Sequence, residues 1–166
     1  MSLTHHPQPG EIFYCKFPDE YMHGEMIKTR PVIVLSKQLT GRPRLVNIVP
    51  ISMTPPDPVG PHHVLVGAAY MPKRLRDRAG DRWVKCDMIY TMSLDRLELV
   101  TGHRDARGKR TYDKGALPPA LLREIRVAIA SCLGIHGKLF VKDQELPLPK
   151  PVVGLVAPLE PVAAAG

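Results

Sequence analysis

Four residues of types that can cleave a phosphodiester stand on predicted strands, three of them at or near a strand end. They are Arg30, Ser52, Lys85 and Asp87. Metal-free cleavage of RNA needs a base that takes the proton from the 2′-hydroxyl, a cation over the phosphate, and a donor to the departing 5′-oxygen. A carboxylate, a guanidinium and a second cationic or hydroxyl donor meet these needs, so the set favours a metal-free ribonuclease.

Each of these residues also has a local structural alternative. Arg30 could form an ion pair with Glu25, and Ser52 could cap a turn. Lys85 could be a solvated strand residue, and Asp87 could accept backbone hydrogen bonds at a strand end. Taken together rather than singly, the four residues favour the catalytic interpretation.

Two apolar, β-branched segments position the first pair of these residues. Residues 29–36 and 45–52 are separated by the polar break at 41–43, which predicts two neighbouring antiparallel strands. In a simple hairpin, the start of the first strand lies beside the end of the second. Arg30 and Ser52 are therefore expected to meet at one edge of the sheet.

The remaining segments predict a mostly β (α+β) protein, a small barrel with a C-terminal helix. Further strands are expected at 11–17, 62–66, 83–91 and 96–100. The strand at 83–91 would have Asp87 in its interior, which is unusual because aspartate is depleted in strands. A helix begins at Pro118 and ends at Gly134.

The helix carries one apolar stripe at spacings of three and four residues. The stripe consists of Leu121, Ile125, Ala128, Ile129 and Cys132. The composition then shifts to Pro, Val, Leu and Ala. We therefore expect a barrel domain over residues 1–140 and an extended, Pro-rich tail over residues 141–166.

The charge distribution indicates a polyanionic partner. The formal net charge is +7, and the cations concentrate in residues 28–44, 73–85 and 104–114. Such clusters attract polyanions, of which nucleic acid is the commonest in a cytoplasm. The alternative is a basic surface that serves only solubility.

Several other classes of protein are disfavoured. The three cysteines are widely spaced and odd in number, which predicts free thiols in a reducing compartment. No membrane span or leader is recognisable, so a cytoplasmic location without membrane contact is expected. His62 and His63 would point to opposite faces of a strand, so neither a metal site nor a cofactor is predicted.

Four consecutive blocks of the chain resemble one family. The blocks 9–12, 30–36, 49–52 and 85–89 are similar in order and spacing to those of PemK/MazF toxins, the ribosome-independent endoribonucleases of type II toxin–antitoxin systems. The resemblance spans about residues 10–133. It implies an SH3-like barrel, a homodimer with RNA-binding grooves, sequence-selective cleavage of single-stranded RNA without metal, and inhibition by a cognate antitoxin.

The resemblance also implies roles for single residues. Arg30 would be the phosphate cation and Asp87 the general base, while Ser52 stands where members often have threonine or serine. Lys85 replaces an arginine proposed as the general acid in some members, and because lysine lacks the planar fork, the acid role stays open. The residues expected to contact RNA are Lys28, His23, Thr54 and Arg82.

An alternative on the same barrel stays open. The chain could be a non-cleaving RNA-binding protein, or a gyrase inhibitor like the related CcdB-type toxins, because a fold alone does not settle function.

Overall fold

A computed structural model describes residues 3, 5–18, 20, 22–78, 80–113 and 115–135. Contacts group residues 1–136 into one compact unit. The predicted tail, residues 141–166, and the domain boundary at 140 lie outside the described residues.

Short antiparallel strands make up most of the regular secondary structure of the described residues. The strands are β1 Glu11–Lys16, β2 Thr29–Val34, β3 Leu45–Ser52, β4 His63–Val66, β5 Arg82–Lys85, β6 Tyr90–Ser93, β7 Leu97–Glu98, β8 Val100–Arg104, β9 Arg110–Asp113 and β10 Gly115–Ala116. The helices are α1 Lys73–Arg76 and α2 Pro119–Cys132, with single 3-10 turns at Ala68–Tyr70 and Leu94–Arg96. Within the described ranges, no helix is long and apolar enough to cross a membrane.

The main sheet has the order β10-β1-β2-β3-β5-β4. Its central strand β3 changes neighbours along one edge, since the residues Leu45 to Ile48 pair with β6 and the last two pair with β5. The sheet therefore curls into a half-barrel, while β8 and β9 form a separate hairpin. The predicted fold class, mostly β with a C-terminal helix, is confirmed.

Alternation along the strands separates two buried clusters, because successive side chains point to opposite faces of a sheet. The helix-side core packs strand residues against α2 and includes Ile33, Val49, Ile51, Val84 and Ile125. The barrel-side core includes Phe13, Cys15, Phe17, Val32 and Val34. One face of the sheet is thus covered by α2, and the other face lines the inside of the half-barrel.

Helix α2 follows the sequence prediction closely at both ends. Proline stands in its first turn, and Gly134 follows its end with a positive φ of 71°. Its buried residues are Leu122, Ile125, Ala128 and Ala130. The predicted stripe was wrong at its last position, because Cys132 at the end of the helix is exposed.

The prediction of one strand over residues 83–91 was also wrong. The segment is two strands, β5 and β6, joined by a turn in which Met88 N–H donates to the carbonyl of Lys85 at 3.0 Å. The break arises because β5 and β6 pair with different parts of β3. Asp87 lies in this turn with 47% of its side chain exposed, so its carboxylate is not buried unpaired.

The structure contradicts the prediction that Arg82 contacts RNA. Its side chain is 1% exposed, and its guanidinium donates to the carbonyls of Leu75, Arg78, Gly80 and Asp81. A buried guanidinium is expected to be paired in this way, because an unpaired charge is costly inside a protein. Arg82 therefore connects α1 and the segment after it to β5, and its buried charge is not presented to a ligand.

We expect Arg82→Met to destabilise the fold by about 3 kcal/mol, because it leaves several carbonyls without their charged donor. Urea unfolding followed by circular dichroism measures the change. The matched control is Arg76→Met, which removes the same group from an exposed helix position and should cost less than about 0.5 kcal/mol. Equal stability of the two variants would contradict the assigned role of Arg82.

Candidate functional site

Arg30 and Ser52 lie at the same level of the sheet on neighbouring strands. The pair Val32 and Pro50 is in register between β2 and β3, and Arg30 and Ser52 lie two residues further along in the same direction. Side chains at the same register level of an antiparallel pair point to the same face. The two groups are thus side by side at one end of the hairpin.

The local contacts of these two residues differ. Arg30 is exposed, and its Nε donates to the carbonyl of Ile27 at 3.3 Å. No ion pair joins it to Glu25, which is also among the described residues. The hydroxyl of Ser52 accepts from Thr54 N–H at 3.1 Å and contacts the Thr54 carbonyl at 3.2 Å. Ser52 therefore caps the turn that ends β3, whereas Arg30 presents a cation to solvent.

Lys85 shares the face that carries these two residues. Val84 points into the helix-side core, so its neighbours Trp83 and Lys85 point the other way. Trp83 is in register with Ser52, and Lys85 is in register with His63 on the other side of β5. We refer to this surface, which carries Arg30, Ser52, Lys85 and His63 on β2, β3, β5 and β4, as the site face.

Distances along the site face follow from sheet geometry. Arg30 and Lys85 are separated by two strand spacings and by two residues along the strands. With strands about 4.8 Å apart and about 3.3 Å per residue, their Cα atoms are about 12 Å apart. Both side chains are long, so their cationic groups can reach one phosphate from opposite sides.

Asp87 lies in the turn after β5, two residues beyond Lys85. Its carboxylate lies 4.0 Å from Nε2 of His62, and it forms no ion pair with Arg30. The guanidinium of Arg30 and the carboxylate of Asp87 are therefore not in contact with each other.

The prediction that His62 and His63 point to opposite faces was wrong. Their rings are in tilted contact, with centroids 4.0 Å apart and an angle of 52° between the planes. The reason is that β4 begins at His63, while His62 belongs to the preceding turn and does not follow strand alternation. One ligand atom each from His62, His63 and Asp87 lies within 4.8 Å of the others.

The turn before β4 fixes the two imidazoles. Gly60 N–H donates to Nδ1 of His63 at 2.9 Å, and a Cβ atom on Gly60 would lie 2.6 Å from the ring of His62. The pKa of His63 is lowered by burial and further by the charges of His62 and Lys85, against the opposing effect of Asp87. The lowered pKa favours a neutral ring, in which Nδ1 accepts from Gly60 N–H and Nε2 carries the ring proton.

The loop between β1 and β2 borders Arg30. It carries two of the predicted RNA contacts, His23 and Lys28, both exposed. Met26 N–H donates to the hydroxyl of Tyr90 at 3.2 Å, which ties the loop to β6. Lys28 has a positive φ of 66°, an uncommon conformation for a residue with a Cβ atom. Thr54, the third predicted contact that is exposed, lies two residues after the end of β3.

All three cysteines are free, as the sequence predicted. Burial raises the pKa of Cys15 to about 11 and that of Cys86 to about 12. The pKa of the exposed Cys132 is raised by partial burial and by the negative charge of Asp87. Cys132 on α2 is thus within electrostatic range of the Asp87 carboxylate. The spacing of the two residues in the sequence does not indicate this proximity.

We expect iodoacetamide to modify only Cys132 in the native protein, and more slowly than free cysteine, because its raised pKa leaves less thiolate at a given pH. Intact mass and peptide mapping measure the adducts. Cys15 and Cys86 should react only after unfolding in urea, and Cys132→Ser should give no native adduct. Rapid modification of either buried cysteine would contradict this expectation.

A sequence profile described as PemK-like, MazF-like toxin of type II toxin–antitoxin system matches residues 8–133. The chain belongs to this family. The match covers every element from β1 to α2 and includes Arg30, Ser52, Lys85 and Asp87. No curated protein sequence matches the chain.

Solved structures of MazF proteins have the same fold. MazF from Deinococcus radiodurans aligns with a TM-score of 0.53 and 22% identity over 78% of this chain and 98% of that one. A MazE–MazF structure from the same organism gives 0.52 and 19% over 80% and 99%. A mycobacterial endoribonuclease gives 0.51 and 20% over 80% and 95%. At these identities the likeness concerns the fold of this PemK/MazF family member.

Proposed function

We propose that this family member is a toxin that cleaves single-stranded RNA as a metal-independent, sequence-selective endoribonuclease in the cytoplasm. The observation that carries the proposal is the site face itself, on which Arg30, Ser52 and Lys85 share one side of the sheet, with Asp87 in the turn two residues after Lys85. Membership of a toxin family, and likeness of fold to a protein named an endoribonuclease, support it.

The proposed reaction uses each side chain for one task. The Asp87 carboxylate takes the proton of the 2′-hydroxyl, whose oxygen attacks the adjacent phosphorus. The Arg30 guanidinium stabilises the negative charge that develops on the phosphate oxygens. The Lys85 ammonium gives a proton to the 5′-oxygen as its bond to phosphorus breaks. The products are a 2′,3′-cyclic phosphate and a 5′-hydroxyl.

Ser52 has a positioning role in this scheme. Its hydroxyl holds the turn at Thr54 and thereby fixes the end of β3 beside Arg30. His23 and Lys28 in the loop before β2, and Thr54 after β3, are exposed groups proposed to contact the flanking nucleotides. Base selection would come from these loop contacts, because single-stranded RNA is recognised through unstacked bases.

The proposal includes two protein partners. Solved MazE–MazF structures from Deinococcus radiodurans share the fold of this chain, which supports a cognate antitoxin as its inhibitor. A second copy of the chain would form a homodimer that extends the site face into a groove. Both partners are testable by co-purification with the adjacent gene product and by size-exclusion chromatography with light scattering.

The deciding experiment is incubation of the purified protein with a long unstructured RNA in EDTA, followed by mapping of the ends. Discrete cuts that carry a 2′,3′-cyclic phosphate and a 5′-hydroxyl are expected. The lack of contact between Arg30 and Asp87 favours a second candidate, a non-cleaving RNA-binding protein. Intact RNA with tight binding would support that candidate, and absence of any RNA binding would support a gyrase-type inhibitor.

A further inference from the structure

We propose that His62, His63 and Asp87 bind a divalent transition-metal cation of the Zn²⁺ class, and that the bound cation switches the site off. One ligand atom from each residue lies within 4.8 Å of the other two. Zn²⁺ binds imidazole nitrogen and carboxylate oxygen at about 2.0–2.2 Å. Small rotations of these partly exposed side chains close the set to that distance.

The chain prepares this ligand set through the turn before β4. Gly60 has no side chain to obstruct the His62 ring, and a Cβ there would approach Cε1 of that ring to 2.6 Å. The Gly60 N–H orients the His63 ring through Nδ1. The two imidazoles therefore lie together beside Asp87 before any cation arrives, which lowers the entropy lost on binding.

The hydrogen bond from Gly60 N–H to Nδ1 of His63 limits the affinity of this site for a cation. If His63 binds through Nδ1, the cation replaces the Gly60 N–H at that nitrogen. If it binds through Nε2, the ring proton must move to Nδ1, and the hydrogen bond is lost as well. Either mode exchanges one hydrogen bond for a metal bond, so we expect micromolar rather than nanomolar dissociation constants.

The donor set determines which cation fits. Two imidazoles and one carboxylate suit Zn²⁺, Co²⁺ or Ni²⁺, whereas Mg²⁺ and Ca²⁺ prefer all-oxygen sites. Lys85, in register with His63, adds repulsion that only a strong metal–nitrogen interaction can offset. With 35% of the His62 side chain and 47% of the Asp87 side chain exposed, water can fill the remaining positions.

The consequence for activity rests on the proposed function. A carboxylate that donates its lone pair to a cation cannot also take the proton of a 2′-hydroxyl. Zn²⁺ at this site would therefore inhibit a cleavage reaction that itself needs no metal. Because the cation occupies Asp87 and not Arg30, RNA binding should survive the loss of cleavage.

Calorimetric titration of the untagged full chain with ZnCl₂ tests the site directly. We expect one site of micromolar affinity and no heat of binding with MgCl₂. His62→Ala and Asp87→Asn should each weaken Zn²⁺ binding by at least about tenfold. Even mutation of residues that only hydrogen-bond to metal ligands lowers metal affinity by about tenfold or more. Circular dichroism checks that each variant is folded, and Co²⁺ absorption gives a second readout of imidazole ligation.

A second pair of adjacent histidines provides the matched control. His5 and His6 lie near the N-terminus, and the ring nitrogens of His6 contact the carbonyls of Pro7 and Leu45. The double change His5→Ala and His6→Ala should leave Zn²⁺ binding intact. Loss of binding in this control with retention in folded His62→Ala would overturn the proposed site, as would a wild type that binds no Zn²⁺.

Inhibition is tested separately as a ratio of cleavage rates in free Zn²⁺ and in EDTA. For the wild type, we expect the cleavage rate in Zn²⁺ to be at least about tenfold lower than the rate in EDTA. For His62→Ala, we expect the two rates to be nearly equal, whatever the basal rate of that variant. Equal inhibition of both would overturn the switch. If RNA stays intact even in EDTA, the proposed ribonuclease fails, while the calorimetric result still decides the metal site.

Discussion

The Asp87→Asn variant should lose RNA cleavage by about 10²- to 10⁴-fold while it keeps its affinity for RNA. The loss follows from removal of the only proposed proton acceptor, since a positioned general base contributes about that factor. The fold should tolerate the change, because Asp87 lies in a turn and is 47% exposed. Asparagine has nearly the same shape and supplies no basic oxygen.

Single-turnover cleavage and fluorescence anisotropy of a labelled RNA measure the two quantities on the same samples. The matched control is Glu98→Gln, which removes one negative charge from an exposed position in β7. Both variants gain the same net charge, so any general electrostatic effect on RNA binding is common to them. Unchanged cleavage in Asp87→Asn, or loss of cleavage and affinity together, would refute the role of this carboxylate.

Arg30→Ala should reduce both RNA affinity and cleavage. The guanidinium is exposed at the start of β2 and is proposed to contact the scissile phosphate. Loss of one phosphate contact should lower the slope of log affinity against log salt by about 0.7 for single-stranded RNA. Loss of a group that stabilises developing charge should lower the cleavage rate by about 10²- to 10³-fold.

Two further variants separate charge from geometry. Arg42→Ala removes the same group from the other end of the β2–β3 hairpin, where Arg42 bridges to Leu39, and should leave cleavage unchanged. Arg30→Lys keeps the charge but not the planar fork, so it should restore the salt slope more fully than the cleavage rate. Equal effects of Arg30→Ala and Arg42→Ala would mean that Arg30 acts only as part of a general basic surface.

The sequence predicted the parts of the fold that depend on local pattern. The strands β1, β2 and β3 and helix α2 follow from alternating or three-and-four spaced apolar residues, and the register beside Arg30 follows from hairpin geometry. The break between β5 and β6 could not be predicted, because it depends on which part of β3 each strand pairs with. Tertiary pairing there overrides a sequence that is strand-like throughout.

The candidate site was predictable to a smaller extent. Arg82 lies in a cluster of cations that resembles an exposed basic segment, and only packing of that segment makes it a buried donor. The adjacent His62 and His63 follow Gly60 and Pro61, a turn signal that could have placed His62 outside the strand. No local pattern brings Asp87 to them, because the contact joins two separate turns.

The hydrogen bonds from Arg82 to four backbone carbonyls also affect the cationic side chains of the same segment. A segment tied at several points along its backbone keeps a constant shape, so Arg74 and Arg76 present their charges from a rigid support rather than from a tether. Charges at fixed intervals discriminate among polyanions by conformation, whereas charges on a loose chain attract all of them alike. One internal guanidinium thus keeps the spacing of these surface charges constant.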